Sequence, residues 1–417
     1  MMKETQIKDR RKEALNRTRN IWKKIGLLSL TFALTPAIIP PGGIMGPVTA
    51  WASPEFAYST EKWARLRDNV LEYGELSDLI HEYNATIINN RLEYDEYRGK
   101  SHDDMKNAYQ DIADRLNDSS DRMMDSVNED QAGYAGTAVG SISARVQAEE
   151  NQELADSQNE DGRVKKIEYD RQEAALIKDA QTKMISYWQK AQARPALKKE
   201  EEQARANYEA MAVKAGQGMA AQAELLEAKE KVEGARAALE TNDREQDGLR
   251  RELCVMTGWS HDAQPDIREV PAPAEEEVDS INLEADKETA LSSNFTLSAN
   301  ERRLSFTGNG TQWDVMNQKV AVNRRQIVAD VEAKYKLLEQ ARADYVQAGN
   351  ELSLALTNSQ SAERRYGLGM ISKNEYTKQQ GGLAGKQSVY DVAGLAFRQA
   401  LEDYRWAVNG LAQTEGA

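Results

Sequence analysis

The stretch Ala221–Met256, AQAELLEAKEKVEGARAALETNDREQDGLRRELCVM, decides the fold. Ala221, Leu225, Ala228, Val232, Ala235, Leu239, Asn242, Gln246, Leu249, Leu253 and Met256 follow one another at alternating gaps of four and three. That spacing keeps one face of an α-helix apolar and is the a/d seam of a coiled coil, interrupted only by Asn242 and Gln246. Alanine alternating with larger residues lets two helices approach closely, with large side chains seated in small holes.

The same period recurs elsewhere. Val331, Leu338, Tyr345 and Leu352 fall at sevens, with Val320, Ile327, Ala341, Ala348, Ala355 and Ala362 in the companion register. A third seam runs Tyr390, Ala393, Phe397, Ala400, Tyr404, Ala407, Leu411, and a fourth Ile167, Ala174, Ile177, Met184, Trp188, Ala191. A fifth is expected at Met105, Tyr109, Ile112, Leu116, Met123 and Val127. The fold class is therefore all-α, made of long antiparallel coiled-coil hairpins with little or no β.

Proline marks where these helices stop. Five of the nine prolines lie in residues 1–54, and Pro265, Pro271 and Pro273 cluster before Glu275-Glu276-Glu277. Residues 263–280 read as a Pro/Glu-rich linker between a first helical repeat, 53–262, and a second, 281–417. Pro195 falls inside the fourth seam and is expected to kink or break that helix.

Residues 1–52 are of another kind. Nine Lys/Arg against three acids crowd positions 1–24, and no charge follows from Ile25 to Pro54. The apolar core 25–35 is followed by prolines and ends at Ala50-Trp51-Ala52, the pattern of a signal peptide cleaved after Ala52. An uncleaved anchor is the alternative. Both readings export the body through the cytoplasmic membrane into the cell envelope. Loss of this segment takes the formal charge from −14 to −20, which disfavours nucleic acid and anionic membrane surfaces as partners. With 7% aromatic and 29% charged residues and a mean hydropathy of −0.72, the composition suits narrow helical seams better than a large globular core. Cys254 is the one cysteine, so there is no disulfide framework, and its apolar register makes it a core residue.

The chain repeats itself at an offset of 151 residues. Gly216-Gln217-Gly218-Met219 matches Gly367-Leu368-Gly369-Met370, Glu224 matches Glu375, and Gly234 matches Gly385. Leu225, Val232, Leu239 and Leu253 keep phase with Tyr376, Leu383, Tyr390 and Tyr404. In each copy the glycine pair joins a long helix to an antiparallel partner, because so tight a reversal needs positive φ. These turns are hairpin tips. They are either plain connectors or an exposed place where another protein docks.

In these features the sequence resembles the TolC family of efflux and type I secretion ducts. The stretch Tyr366-Gly-Leu-Gly-Met-Ile-Ser-Lys-Asn-Glu-Tyr376 looks like that family's second tip, and Lys214–Leu226 like its first. The resemblance covers roughly residues 160–260 and 310–412. It implies a homotrimer whose helices form a tapering tunnel. Its tips, Gly216, Gly218, Met219, Gly367, Leu368, Gly369 and Met370, would bind a periplasmic membrane-fusion adaptor linked to an ABC or proton-driven inner-membrane pump. It also implies an anionic entrance ring, for which Glu224 and Glu375 are the candidate acids. Lys378 stands where a second family acid would be, which weakens such a ring. A solvated carboxylate at a helix start is the plainer reading of Glu375.

One departure counts against a complete outer-membrane pore. Family barrels take two strands per repeat, each about 10 alternating residues. Only 305–319 separates the seams of the second half, around Gly308-Asn309-Gly310, and the glycine-rich 133–140 is flanked by charge without alternation. No barrel is expected, and the helices should turn at these glycines.

No catalytic constellation appears. His81, His102 and His261 are scattered, and His102-Asp103-Asp104 reads as a solvated helix face rather than a metal site. No Walker loop, nucleophile elbow or zinc spacing is present. The chain is expected to be no enzyme and to need no cofactor. The sequence thus supports a TolC-like duct component, with a non-transport coiled-coil scaffold of the envelope as the alternative. A secreted enzyme is a weaker third reading.

Overall fold

The computed structural model describes residues 58–128, 130, 133–272 and 275–414. The predicted signal segment 1–52, with its cleavage point after Ala52, lies outside them. The first half opens with α1 (Thr60–Leu66) and strand β1 (Val70–Leu71), then α2 (Leu76–Tyr83) and α3 (Ala85–Tyr97). A hairpin of α4 (His102–Asp125) and α5 (Tyr134–Ser157) follows. Then come the long α6 (Gly162–Gly216) and α7 (Gln222–Met256). Strand β2 (Asp266–Ile267) and the short α8 (Glu275–Asp279) lead to the second half. That half consists of α9 (Leu283–Ser293), α10 (Phe295–Phe306), α11 (Thr311–Gly367) and α12 (Lys373–Trp406), closed by a π-turn over Ala407–Leu411.

The predicted seams are the buried faces. Along α7 the alternating positions from Leu225 to Met256 are the shielded ones, and Leu253 is fully buried. Along α11, Ile327, Val331 and Leu338 are fully buried, and Phe397 and Tyr404 of α12 close over them. Tyr345 of α11 stacks on Tyr390 of α12 with ring centroids 4.9 Å apart and hydroxyls at 2.6 Å. In the first half, Leu71, Leu76, Ile80, Met184, Leu253 and Ile267 form the corresponding core.

Two expectations change. Helix α6 runs unbroken from Gly162 to Gly216 with Pro195 inside it. A helical proline orphans the carbonyl four residues back and crowds that turn. The carbonyls flanking the orphan are held by neighbouring helices: Asn242 of α7 donates to Lys190 at 3.0 Å, and Ser388 of α12 donates to Gln192 at 2.9 Å. Packing on two sides carries the helix through the proline. The fifth seam is also displaced. Ile112 and Met123 of α4 stay 44% and 38% exposed, while Ala113 and Ser120 are buried. The facing helix α5 offers Ser141, Ala144 and Ala148, so closest approach falls on small residues rather than on the large ones.

The two halves share a joint. Asn84 separates α2 from α3, and Asn294 separates α9 from α10, each in extended backbone. Each side-chain oxygen caps the following helix, accepting from Ile87 and Leu297 respectively. At the far ends of the long helices, Gly258 and Gly410 have φ of 82° and 116°. A side chain at either would strike the residue before the joint, Tyr83 or Ser293. As expected, the chain reverses at Gly133 and Gly310, both at positive φ, rather than entering long strands. Among the described residues the strands are β1 and β2, two residues each, paired in parallel with Val70 opposite Asp266. The predicted linker is thereby fastened to the first half. Trp188 also donates to the carbonyl of Arg268 at 2.8 Å.

Candidate functional site: the hairpin tips

Helix α6 packs against both α7 and α12, and α12 packs against α11. The order α7–α6–α12–α11 is thus a wall one helix thick with α7 and α11 at its edges. A 35-residue α7 and a 57-residue α11 make the wall long: at 1.5 Å per residue α11 spans about 85 Å. Leu226 and Val255 of α7, and Leu337, Val346, Leu354 and Leu356 of α11, remain exposed.

The two tips are the same turn built twice. Gly218 and Gly369 have φ of 73° and 69°, a region that costs an L side chain about 1–2 kcal/mol. Met219 N–H donates to the carbonyl of Lys214 at 2.8 Å, and Met370 N–H to that of Arg365 at 2.8 Å. Gly218 N–H reaches Ala215 at 3.0 Å, and Gly369 N–H reaches Tyr366 at 2.9 Å. Both are Schellman closures, in which the left-handed glycine lets the last orphan carbonyls be satisfied. Gly216 and Gly367 are the terminal helical residues just before these turns, with open space where a side chain would stand.

The turns push apolar side chains into solvent. Met219 is 67% exposed, Leu368 76% and Met370 66%. Tyr366 and Tyr376 stack at 4.7 Å and clamp the second tip. Both tips lie at one end of the wall, because Gln203 of α6 donates to the carbonyl of Thr377 of α12 at 3.4 Å. Gly216, the last residue of α6, lies thirteen residues beyond Gln203, and Lys373, the first of α12, four before Thr377. At helical rise these are about 20 Å and about 6 Å, so the first tip stands farther out by about 14 Å.

The candidate acids sit just inside the tips, and each is tied to its helix start. A Glu224 carboxylate oxygen accepts from the Ala221 N–H at 3.0 Å, half of a capping box. Glu375 N–H donates to the Ser372 hydroxyl at 3.2 Å, and its carboxylate accepts from Gln379 at 3.1 Å. Both are exposed. The Glu224 carboxylate thus closes a helix start, whereas the Glu375 carboxylate pairs with a side chain one turn further along α12.

The opposite end is bound by charge. Arg302 of α10 holds Asp161, the N-cap of α6, with its Nε at 2.8 Å from both oxygens. Arg303 bridges Glu160, at 2.7 Å, and Glu168, while Lys165 reaches Glu160 at 2.6 Å. Burial pushes the Glu160 and Asp161 carboxyls up. The hydrogen bonds from Lys165 and Arg303 to one and from Arg302 to the other outweigh it and hold both below the usual range. His102 belongs to this end and is no solvated face. Its ring stacks on Phe306 at 4.6 Å and its Nε2 lies 2.8 Å from the Gln158 carbonyl. Cys254 is buried within α7, where burial pushes its thiol up. Among the described residues no helix is long and apolar enough to cross a membrane, and no group of three or more His, Cys, Asp or Glu could hold a metal.

No family model matches this sequence, and no curated protein does. Several solved structures align with this chain. The Campylobacter jejuni CmeC outer membrane channel aligns over 85% of this chain and 89% of its own, at 10% identity and a TM-score of 0.45. A membrane protein from Pseudomonas aeruginosa aligns over 81% and 90%, at 12% identity and 0.48. The outer-membrane channel OprN aligns over 88% and 98%, at 12% identity and 0.47.

Proposed function

We propose that this chain is an exported, TolC-like helical duct component of an efflux or secretion assembly. Three copies would close the open wall into a tube, each placing the α11 edge of one chain against the α7 edge of the next. The single observation that carries the reading is the doubled tip: one turn geometry, built at the ends of two of the longest helices, exposes Met219, Leu368 and Met370. Glycine spacing and left-handed backbone are shared by both, although a mere connector needs neither the same sequence nor the same apolar side chains. Tip exposure also fits the docking of a membrane-fusion adaptor, itself joined to an ABC or proton-driven pump.

On this reading residues 1–52 direct export and are removed, and the halves 53–262 and 281–417 each supply one hairpin, with 263–280 between them. Glu224 and Glu375 would stand around the tunnel mouth, in addition to accepting from Ala221 and Gln379. The mouth would be weakly anionic because Lys378 lies one turn from Glu375. The chain performs no chemistry of its own, and transport would be powered by the pump.

The test is the native mass of the exported chain by light scattering, with negative-stain images. A trimeric tube is expected, and a monomeric rod would sink the reading. For docking, a photo-crosslinker at Leu368 should capture an adaptor in cells. Replacing Gly367 and Gly369 with tryptophan should abolish capture without loss of helicity. A coiled-coil spacer of the envelope is the second reading, favoured by the two-residue length of β1 and β2.

A further inference from the structure

The hairpin of α4 and α5 has no counterpart in the second half, where only Thr307–Gly310 separate α10 from α11. Its helices pack on each other rather than on the wall. The seam between them is made of small residues, Ala113, Ser120, Ser141, Ala144 and Ala148, with the two serine hydroxyls 2.7 Å apart. The large apolar side chains of α5 point the other way. Val139, Ile142 and Val146 are 67%, 63% and 49% exposed and follow a heptad step of three and four along one ridge.

We propose that this ridge is a homotypic contact, in which α5 helices from several copies of the chain pack Val139, Ile142 and Val146 against one another. Three observations select a second copy as the occupant. First, β-branched residues at both alternating core positions of a coiled coil favour three or more strands over two. Second, charge disfavours self-approach by the acid-bearing faces of the hairpin and ends the ridge at Glu149, the next core step. Residues 133–144 carry no ionisable side chain except the tyrosine at 134. The exposed acids Asp111, Asp114, Asp118 and Asp125 line α4, where Asp121 is paired with Arg145 of α5 at 2.9 Å. Two hairpins meeting by any acid-bearing face would repel, and the same acids oppose an anionic bilayer. Third, Gly136 beside the ridge has open space at its Cα, which lets a second helix backbone come close. The charge-free run of twelve residues is too short to cross a bilayer, which takes about 20. The contact deepens the ring reading, on which it rests for the number of copies, by fixing the end of the tube opposite the tips.

The test is Ile142→Cys in the full chain, oxidised with copper phenanthroline and compared with Leu154→Cys, a site on the same helix off the ridge. Cys254 is buried, so the parent chain serves as the blank. Disulfide-linked pairs of chains at least tenfold above the L154C level are expected, with light scattering on the same samples giving the copy number. An oligomer whose I142C thiols crosslink no better than those of L154C overturns the ridge contact alone. A monomer that does not crosslink overturns the ring and the contact together, and a chain that is monomeric when dilute yet crosslinks upholds the contact against the ring. Uncrosslinked I142C protein that floats with phosphatidylcholine vesicles would make lipid the cover and also overturn the proposal.

Discussion

Asn84 and Asn294 make the same pair of bonds in the two halves of the chain. The amide nitrogen of Asn84 donates to Met256 at the end of α7 at 2.9 Å, and that of Asn294 donates to Ala412, just past the π-turn that closes α12, at 3.1 Å. Each oxygen meanwhile caps the next helix. One side chain therefore pins a helix start to the end of a long helix, and both are at least nine-tenths buried.

Replacing Asn294 with alanine removes a cap, worth ~1 kcal/mol, and strands a buried carbonyl, worth ~1–3 kcal/mol. Thermal unfolding should show a clear loss for N294A and a similar one for N84A. Asn294→Asp keeps the cap but sets a buried carboxylate oxygen against the Ala412 carbonyl, so its melting point should fall at least as far as that of alanine. An N294A protein as stable as the parent would remove the joint from the account.

Pro195 offers the opposite sign. Proline in a helix interior is less favourable than alanine by ~3 kcal/mol, of which the bonds to Lys190 and Gln192 recover a part. Pro195→Ala should raise the melting temperature. A fall would mean that the ring itself is needed for packing.

Gly369→Ala and Gly218→Ala should each cost ~1–2 kcal/mol from the left-handed backbone alone. Circular dichroism should show unchanged helicity with earlier melting. Gly382→Ala, in the open interior of α12 at ordinary φ, should instead gain up to ~1 kcal/mol.

Acid should loosen the end opposite the tips first. Asp161 and Glu160 have folded values below their unfolded ones, so their contribution is whole above about pH 4 and is lost as the pH falls through the lowered folded values. Melting temperature against pH should drop less steeply below pH 4 in Asp161→Asn than in the parent. Equal slopes would show that Arg302 adds nothing.

His81 titrates the other way. Its hydrogen bond to Glu173 at 2.7 Å raises the ring above the ordinary histidine value despite partial burial. The stabilisation is whole below about pH 6.5 and is lost as pH rises through the raised folded value. The pair is partly exposed, so the effect should stay below ~1 kcal/mol. Glu173→Gln should flatten the stability curve across neutral pH, and a curve that keeps its slope would assign it elsewhere.

The long helices were legible because a heptad seam is a local signal: each of Leu225, Val232 and Leu239 predicts the next. The tips were legible for the same reason, since Gly218 and Gly369 mark left-handed turns in the letters themselves. The joint escapes such local seams, although Asn84-x-Thr-Ile-x-x-Asn90 and Asn294-x-Thr-Leu-x-x-Asn300 repeat one pattern. Its offset of 210 residues differs from the 151 that aligns the tips, because α4 and α5 are inserted between them. The misplaced seam of α4 has another cause. Large residues such as Ile112 and Met123 mark a buried face only when the partner has room for them, and the partner's alanines and serines did not. The burial of His102 depends on Phe306, two hundred residues away, which no local pattern reports.

The inserted hairpin also sets the symmetry of whatever this chain builds. Without it the two halves would be near copies, and a ring of three chains would repeat six times around its axis. With it, such a ring offers six almost equivalent turns at one mouth, in two alternating heights about 14 Å apart at helical rise, but only three hairpins at the other. A partner at the tips can count in sixes or in threes; one at the hairpins can count only in threes.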